Sequence, residues 1–142
     1  MAELEQLVRQ MQAEGLLDDQ FQQLLALQDE SNPDFVAEVV QLYFEDSVGK
    51  IEKVYQLLSQ PLPDYEELDQ IVHQFKGSSA SLGAAYIAQL CIKLREGCQQ
   101  RNAAACQQLV QQVKEAFQQL RTKLELFLQL EQQHKNAMET GG

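Results

Sequence analysis

Apolar residues in this chain return every three to four positions along most of its length, and no alternating pattern survives beyond a few residues. That spacing selects helices and leaves no segment suited to a sheet. Leu4, Leu7, Val8 and Met11 predict a short first helix that stops near Gly15, and Leu17, Phe21, Leu24, Leu25 and Gln28 carry a second. Ser31-Asn32-Pro33-Asp34 reads as a helix start, with Asn32 as N-cap and Pro33 at the first helical position. The third helix then runs through Phe35, Val39, Leu42, Tyr43, Ile51, Val54 and Leu58 to the break at Pro61 and Pro63. Asp64, with Glu67 three residues on, has the pattern of a capping box and opens a fourth helix that ends near Leu82-Gly83. A fifth carries Ile87, Leu90, Cys91, Leu94 and Cys98. A sixth, capped at Asn102, carries Cys106, Leu109, Val113, Phe117, Leu120, Leu124 and Phe127. The expected fold is all-α: an antiparallel four-helix bundle with two additional short N-terminal helices. It is expected to form one domain over residues 1–134, followed by a frayed tail at 135–142.

Composition narrows the function classes. Eleven basic residues stand against twenty-one acidic ones, for a formal charge of −10. A field of that sign repels phosphate backbones, so no nucleic acid is expected as partner. No run of eighteen apolar residues exists and the N-terminus is acidic, so neither membrane nor secretion is expected. Cys91, Cys98 and Cys106 form no CxxC pair and lie on apolar stripes, which makes them small buried hydrophobes in a reducing compartment. Glu131-Gln-Gln-His134 has the spacing of half a di-iron site, but the residue three before His73 is Gln70, so no metal is expected. There is no glycine-rich phosphate loop, which excludes a kinase that binds its own ATP.

Val72-His73-Gln74-Phe75-Lys76-Gly77-Ser78-Ser79-Ala80-Ser81, in the fourth helix, is poorly explained by packing alone. On a helical wheel Leu68, Ile71, Phe75 and Leu82 make the core face, and Ser78 and Ser79 fall near it. His73 lies opposite, flanked by Glu66, Asp69, Gln70, Lys76, Gly77 and Ala80, and should be exposed on a rigid element. Gly77 costs a helix interior about 1 kcal/mol relative to alanine, which close approach of another surface to His73 would justify. Lys76, three residues after His73, sets a cation beside the imidazole and can partly neutralise a dianion on the ring. A surface histidine with a cation and clearance beside it points to a functional role rather than to an ordinary solvated side chain.

The same run, HQFKGSSAS, resembles the His-Gln-x-Lys-Gly-Ser-Ser-x-Ser signature of plant histidine-containing phosphotransfer proteins. Leu27 to Val36, LQDESNPDFV, is similar to that family's second motif at the loop before the third helix. The resemblance implies an intermediate in multistep two-component signalling. His73 would take a phosphoryl group from the receiver-domain aspartate of a hybrid sensor histidine kinase and pass it to response regulators, in cytokinin-type signalling. It implies a carrier without kinase activity and without a cofactor of its own, Mg²⁺ belonging to the partner receiver. It also implies a monomer in cytoplasm and nucleus. Arg95, 22 residues after His73 on the next antiparallel helix, is by the resemblance a polar group near the histidine. Gln74 matches the motif but points 100° away and suits packing or partner contact. Receiver docking is expected around the histidine, including Ala80, and on the second helix at Gln22, Leu25, Gln28 and Asp29. The competing expectation is an adaptor of the same fold that binds receivers without carrying phosphate.

Overall fold

The computed structural model of the chain describes the backbone of residues 2–141 and the side chains of residues 2–137. Among these, six helices follow in order: α1 (Ala2–Ala13), α2 (Asp19–Leu27), α3 (Phe35–Leu58), α4 (Tyr65–Leu82), α5 (Ala85–Gln99) and α6 (Ala103–Gly141). The last four pack in a closed ring, α3 on α4, α4 on α5, α5 on α6 and α6 on α3. Antiparallel order shows in the cross-links. Lys53 of α3 faces Glu67 near the start of α4 while Tyr43 bonds Ser79 near its end, and Tyr55 bonds Gln111 of α6. The all-α bundle with two short leading helices is therefore what forms.

The stripes set the packing. Leu4, Leu7, Val8 and Met11 are all buried and seat α1 on α6. Phe21 of α2 is fully buried and meets Phe127 of α6 edge to face, ring centres 5.6 Å apart. Gly83, at φ +93, ends α4 in the left-handed region, where glycine carries no Cβ penalty. A Cβ there would also come within 2.7 Å of the Phe21 backbone nitrogen, and the Gly83 carbonyl accepts from Asp18 N–H at 2.9 Å. The end of α4 and the start of α2 are thus docked backbone to backbone.

Three expectations need correction. Asn32 is not the N-cap of α3. The Asp29 carboxylate accepts from Ser31 N–H, Ser31 O–H and Asn32 N–H at 2.9, 2.6 and 3.1 Å, which folds 29–32 into a turn and delays the helix to Phe35. These bonds, the Ser31 hydroxyl foremost, hold the Asp29 carboxyl below its ordinary value. The freed Val36 N–H donates instead to Gln28 Oε1 at 2.9 Å. Leu42 is not core but 65% exposed; α3 is apolar around more than half its girth, and Val36, Val40, Phe44 and Leu57 take the inward positions. The capping box is half made: Asp64 accepts from Glu67 N–H at 3.1 Å, while the Glu67 carboxylate turns to Lys53 at 3.8 Å. The helix α6 extends to Gly141, and its Lys135 donates to the Pro33 carbonyl at 2.6 Å and to Asp34 at 3.0 Å.

Candidate functional site

The α4 segment separates two faces as the wheel requires. Leu68, Val72, Phe75, Ser79 and Leu82 are buried, and Ile71 is half-buried; Val72 joins the core because α5 packs on that side. Ser79 earns its burial by a hydroxyl bond to Tyr43 at 2.8 Å, and burial pushes the Tyr43 phenol well above its ordinary value. Ser78 is half-buried and donates to the Phe75 carbonyl at 3.1 Å. His73, Gln74, Gly77 and Ala80 are exposed, near the middle of the helix and away from its frayable ends.

Arg95 reaches His73 from α5. Its Nη1 lies 3.1 Å from His73 Nδ1, while its Nε and Nη2 donate to the two carboxylate oxygens of Asp69 at 3.0 and 3.3 Å. Asp69 and His73 are four residues apart on α4 and so share a face. The Asp69 bond raises the Arg95 pKa further, so the guanidinium is a cation throughout. Sequence reasoning counted Asp69 only as a neighbour of His73. Its signal was available in the i, i+4 spacing but had no partner to point to until α5 was in place.

Lys76 is half-buried on the α5 side of the helix, close enough for its charge to oppose, in part, the upward shift of the Cys91 thiol. Among the described residues no carboxylate lies within ion-pair distance of it. A Cβ built on Gly77 meets nothing within 4 Å. The chain's own packing therefore does not require glycine at this position, and space for an approaching surface remains as its reason.

The second-helix residues fall elsewhere. Gln22, Leu25 and Gln28 line a cleft of about 490 Å³ shared with Leu4 and Val8 of α1 and Phe127 of α6. Gln28 is tied up by Val36 and by Glu131 at 3.0 Å, and Asp29 is consumed by its turn. Leu24 of α2, with Val39 and the exposed Leu42, borders a cleft of about 440 Å³ that Ser78 and Ser81 also line. Among the described residues no group of three or more His, Cys, Asp or Glu is placed to hold a metal ion.

Three comparisons bear on this arrangement. The chain is 48% identical over 132 residues to histidine-containing phosphotransfer protein 1 of Oryza sativa subsp. japonica, covering 93% of this chain and 90% of that relative. It is 39% identical over 117 residues to pseudo histidine-containing phosphotransfer protein 2 of the same organism, covering 82% and 78%. The fold superposes on the crystal structure of a histidine-containing phosphotransfer protein from maize with a TM-score of 0.89 at 44% identity, covering 93% of this chain and 96% of that one. Residues 38–123, which hold His73, Arg95 and Asp69, match the Hpt domain. The chain belongs to the Hpt domain family, among the histidine-containing phosphotransfer proteins of plants.

Proposed function

We propose that this protein relays a phosphoryl group through His73, accepting it from the receiver aspartate of a hybrid sensor histidine kinase and delivering it to the receiver aspartate of a response regulator. One observation carries the reading: His73 is exposed at mid-helix, held by Arg95 at 3.1 Å, with an unpaired cation one turn away and open space over Gly77. Transfer of this kind needs positioning and charge stabilisation more than covalent help from the carrier. Lys76 supplies charge to the phosphoryl oxygens, Gly77 lets the receiver close, and Gln74 and Ala80 belong to the surface it closes on. The apolar cleft bordered by Leu24 and Leu42 extends that surface towards α2.

The receiver brings its own Mg²⁺ and acidic pocket, so this chain acts without a cofactor and without turning over ATP. It works as a monomer, in cytoplasm and nucleus, and the family's setting points to cytokinin-type signalling. Incubation with a phosphorylated receiver domain tests the proposal, and acid-labile, base-stable phosphate on the chain is the expected product. His73→Gln should abolish the label and leave helical content unchanged. Label that persists in that variant, or moves to His134, overturns the assignment. A wild-type chain that binds receivers yet never labels would be the adaptor.

A further inference from the structure

The guanidinium of Arg95 has a limited set of hydrogen-bonding edges. It is a donor at every nitrogen and accepts nowhere. Asp69 occupies the edge formed by Nε and Nη2, which leaves Nη1 as the nitrogen directed at His73. Since Nη1 can only donate, His73 Nδ1 must present a lone pair. The contact is incompatible with an imidazolium, which carries protons on both nitrogens, and with the neutral ring protonated on Nδ1. It selects the neutral ring with its proton on Nε2. Asp69 and Arg95 are each only just over a quarter exposed, so the pair is sheltered without being buried.

We infer that Asp69 is a positioning residue for His73: acting through Arg95, it holds Nδ1 as an acceptor and so protects the phosphorylated ring. The inference rests on the reading of His73 as the phosphoryl acceptor. In the transfer step the Nε2–P bond forms and the O–P bond of the partner's aspartyl phosphate breaks. The attacking pair is the in-plane lone pair of Nε2, present only in the neutral ring protonated on Nδ1, so Arg95 releases Nδ1 for this step. The electron pair of the O–P bond stays with the carboxylate, and the Nδ1 proton passes to water. The phosphorylated ring then carries its lone pair on Nδ1, and the Arg95 contact re-forms. Attack through Nδ1 is obstructed by the guanidinium at 3.1 Å.

The same contact bears on how long the phosphoryl group is kept. In hydrolysis, water forms the new O–P bond while the P–N bond breaks with its electron pair returning to Nε2. That departure is easy when Nδ1 has taken a proton, because the leaving group is then a neutral imidazole. An Nδ1 that accepts from Arg95 has its lone pair occupied. Without Asp69, Arg95 is a long side chain with many rotamers and no fixed edge, and Nδ1 is released to solvent.

The experiment compares wild type with Asp69→Asn, Asp69→Ala and Asp69→Glu in the full chain. The first readout is NMR of the unphosphorylated protein: wild type should show resolved Arg95 Hη signals and a coupling across the hydrogen bond to His73 Nδ1. Both should vanish in the Asn and Ala variants and return, at least in part, with Glu. The second readout is the half-life of phosphate on His73 at pH 7.5, loaded from a phosphorylated receiver. It should fall about three- to tenfold in the Asn and Ala variants, the loss of one partly exposed charge-assisted contact, and recover with Glu. Thermal melts keep the comparison to folded protein, and Asp69→Asn is near-isosteric should Asp69→Ala unfold. An intact Arg95 to His73 coupling and an unchanged half-life in Asp69→Asn overturn the inference. If wild type takes no label at all, the acceptor role of His73 falls, whereas the NMR readout still decides whether Asp69 sets the ring.

Discussion

Gln28 and Glu131 meet side chain to side chain at 3.0 Å although 103 residues separate them in the chain. The other end of the same amide accepts from Val36 N–H at 2.9 Å, so one side chain splints the end of α2, the start of α3 and the far half of α6. Glu131 is 8% exposed and takes its remaining charge balance from Lys135 at 3.5 Å.

A structural rather than a docking role for Gln28 is therefore expected. Gln28→Ala leaves a nearly buried carboxylate and a helix-start N–H short of a partner, which costs about 1–2 kcal/mol. Urea denaturation should show that loss. Single-turnover transfer from a phosphorylated receiver, measured well below the melting range, should be unchanged. A slower transfer at unchanged stability would return Gln28 to the docking surface.

Gly77 is expected to trade stability for access. Because a Cβ there meets open space, Gly77→Ala should stabilise the protein by up to about 1 kcal/mol through helix propensity alone. Gly77→Gln should keep much of that gain and slow transfer, since its side chain occupies the space the receiver must enter. The two variants together separate backbone from bulk. Equal transfer rates in both, alongside the higher melting temperature, would show that clearance is not what the glycine provides.

How far the site could be read in advance depended on where its constraints lie. The exposure of His73, the inward Phe75 and the cap at Asp64 are local, set by the 100° turn per residue and by short-range donors, and the sequence is enough for them. Leu42 was misplaced because a helix with apolar residues around much of its girth has more than one plausible inward stripe. Which one wins is decided by neighbouring helices and not by the helix itself. The turn at Asp29 defeated the Asn32 cap because two short polar residues competed for the same N–H groups, and local spacing does not rank them. Asp69 was visible as a neighbour and invisible as a partner, since its role runs through Arg95 on another helix.

The cysteines are expected to be inert. Burial pushes the Cys91 and Cys98 thiols up to about 12, and burial likewise raises Cys106, whose sulfur sits 4.0 Å from that of Cys98. The thiolate is the reactive form, and at pH 8 it is scarce at such values. Native protein mixed with a chromogenic disulfide reagent at pH 8 should show almost no fast reaction, and three equivalents after denaturation. A fast equivalent in the native state would mean that one of these helices opens readily.

Lys76 separates charge from docking. It is half-buried, free of any carboxylate partner among the described residues, and one turn from His73 on the same helix. Docking of a receiver excludes water from this face, and a cation there acts on the phosphoryl oxygens more strongly than it does in the free protein. Its contribution should therefore grow as charge builds on the transferring group, and should add little to the encounter itself. Lys76→Ala is expected to lower the transfer rate at saturating receiver by on the order of ten- to a hundredfold. Complex affinity should change by about 1 kcal/mol or less, as for other partly exposed charges. Single-turnover transfer and equilibrium binding measured on one preparation decide between the two roles. A collapse of affinity with the saturated rate intact would make Lys76 a docking residue, and charge stabilisation at His73 would then rest on Arg95 and the partner.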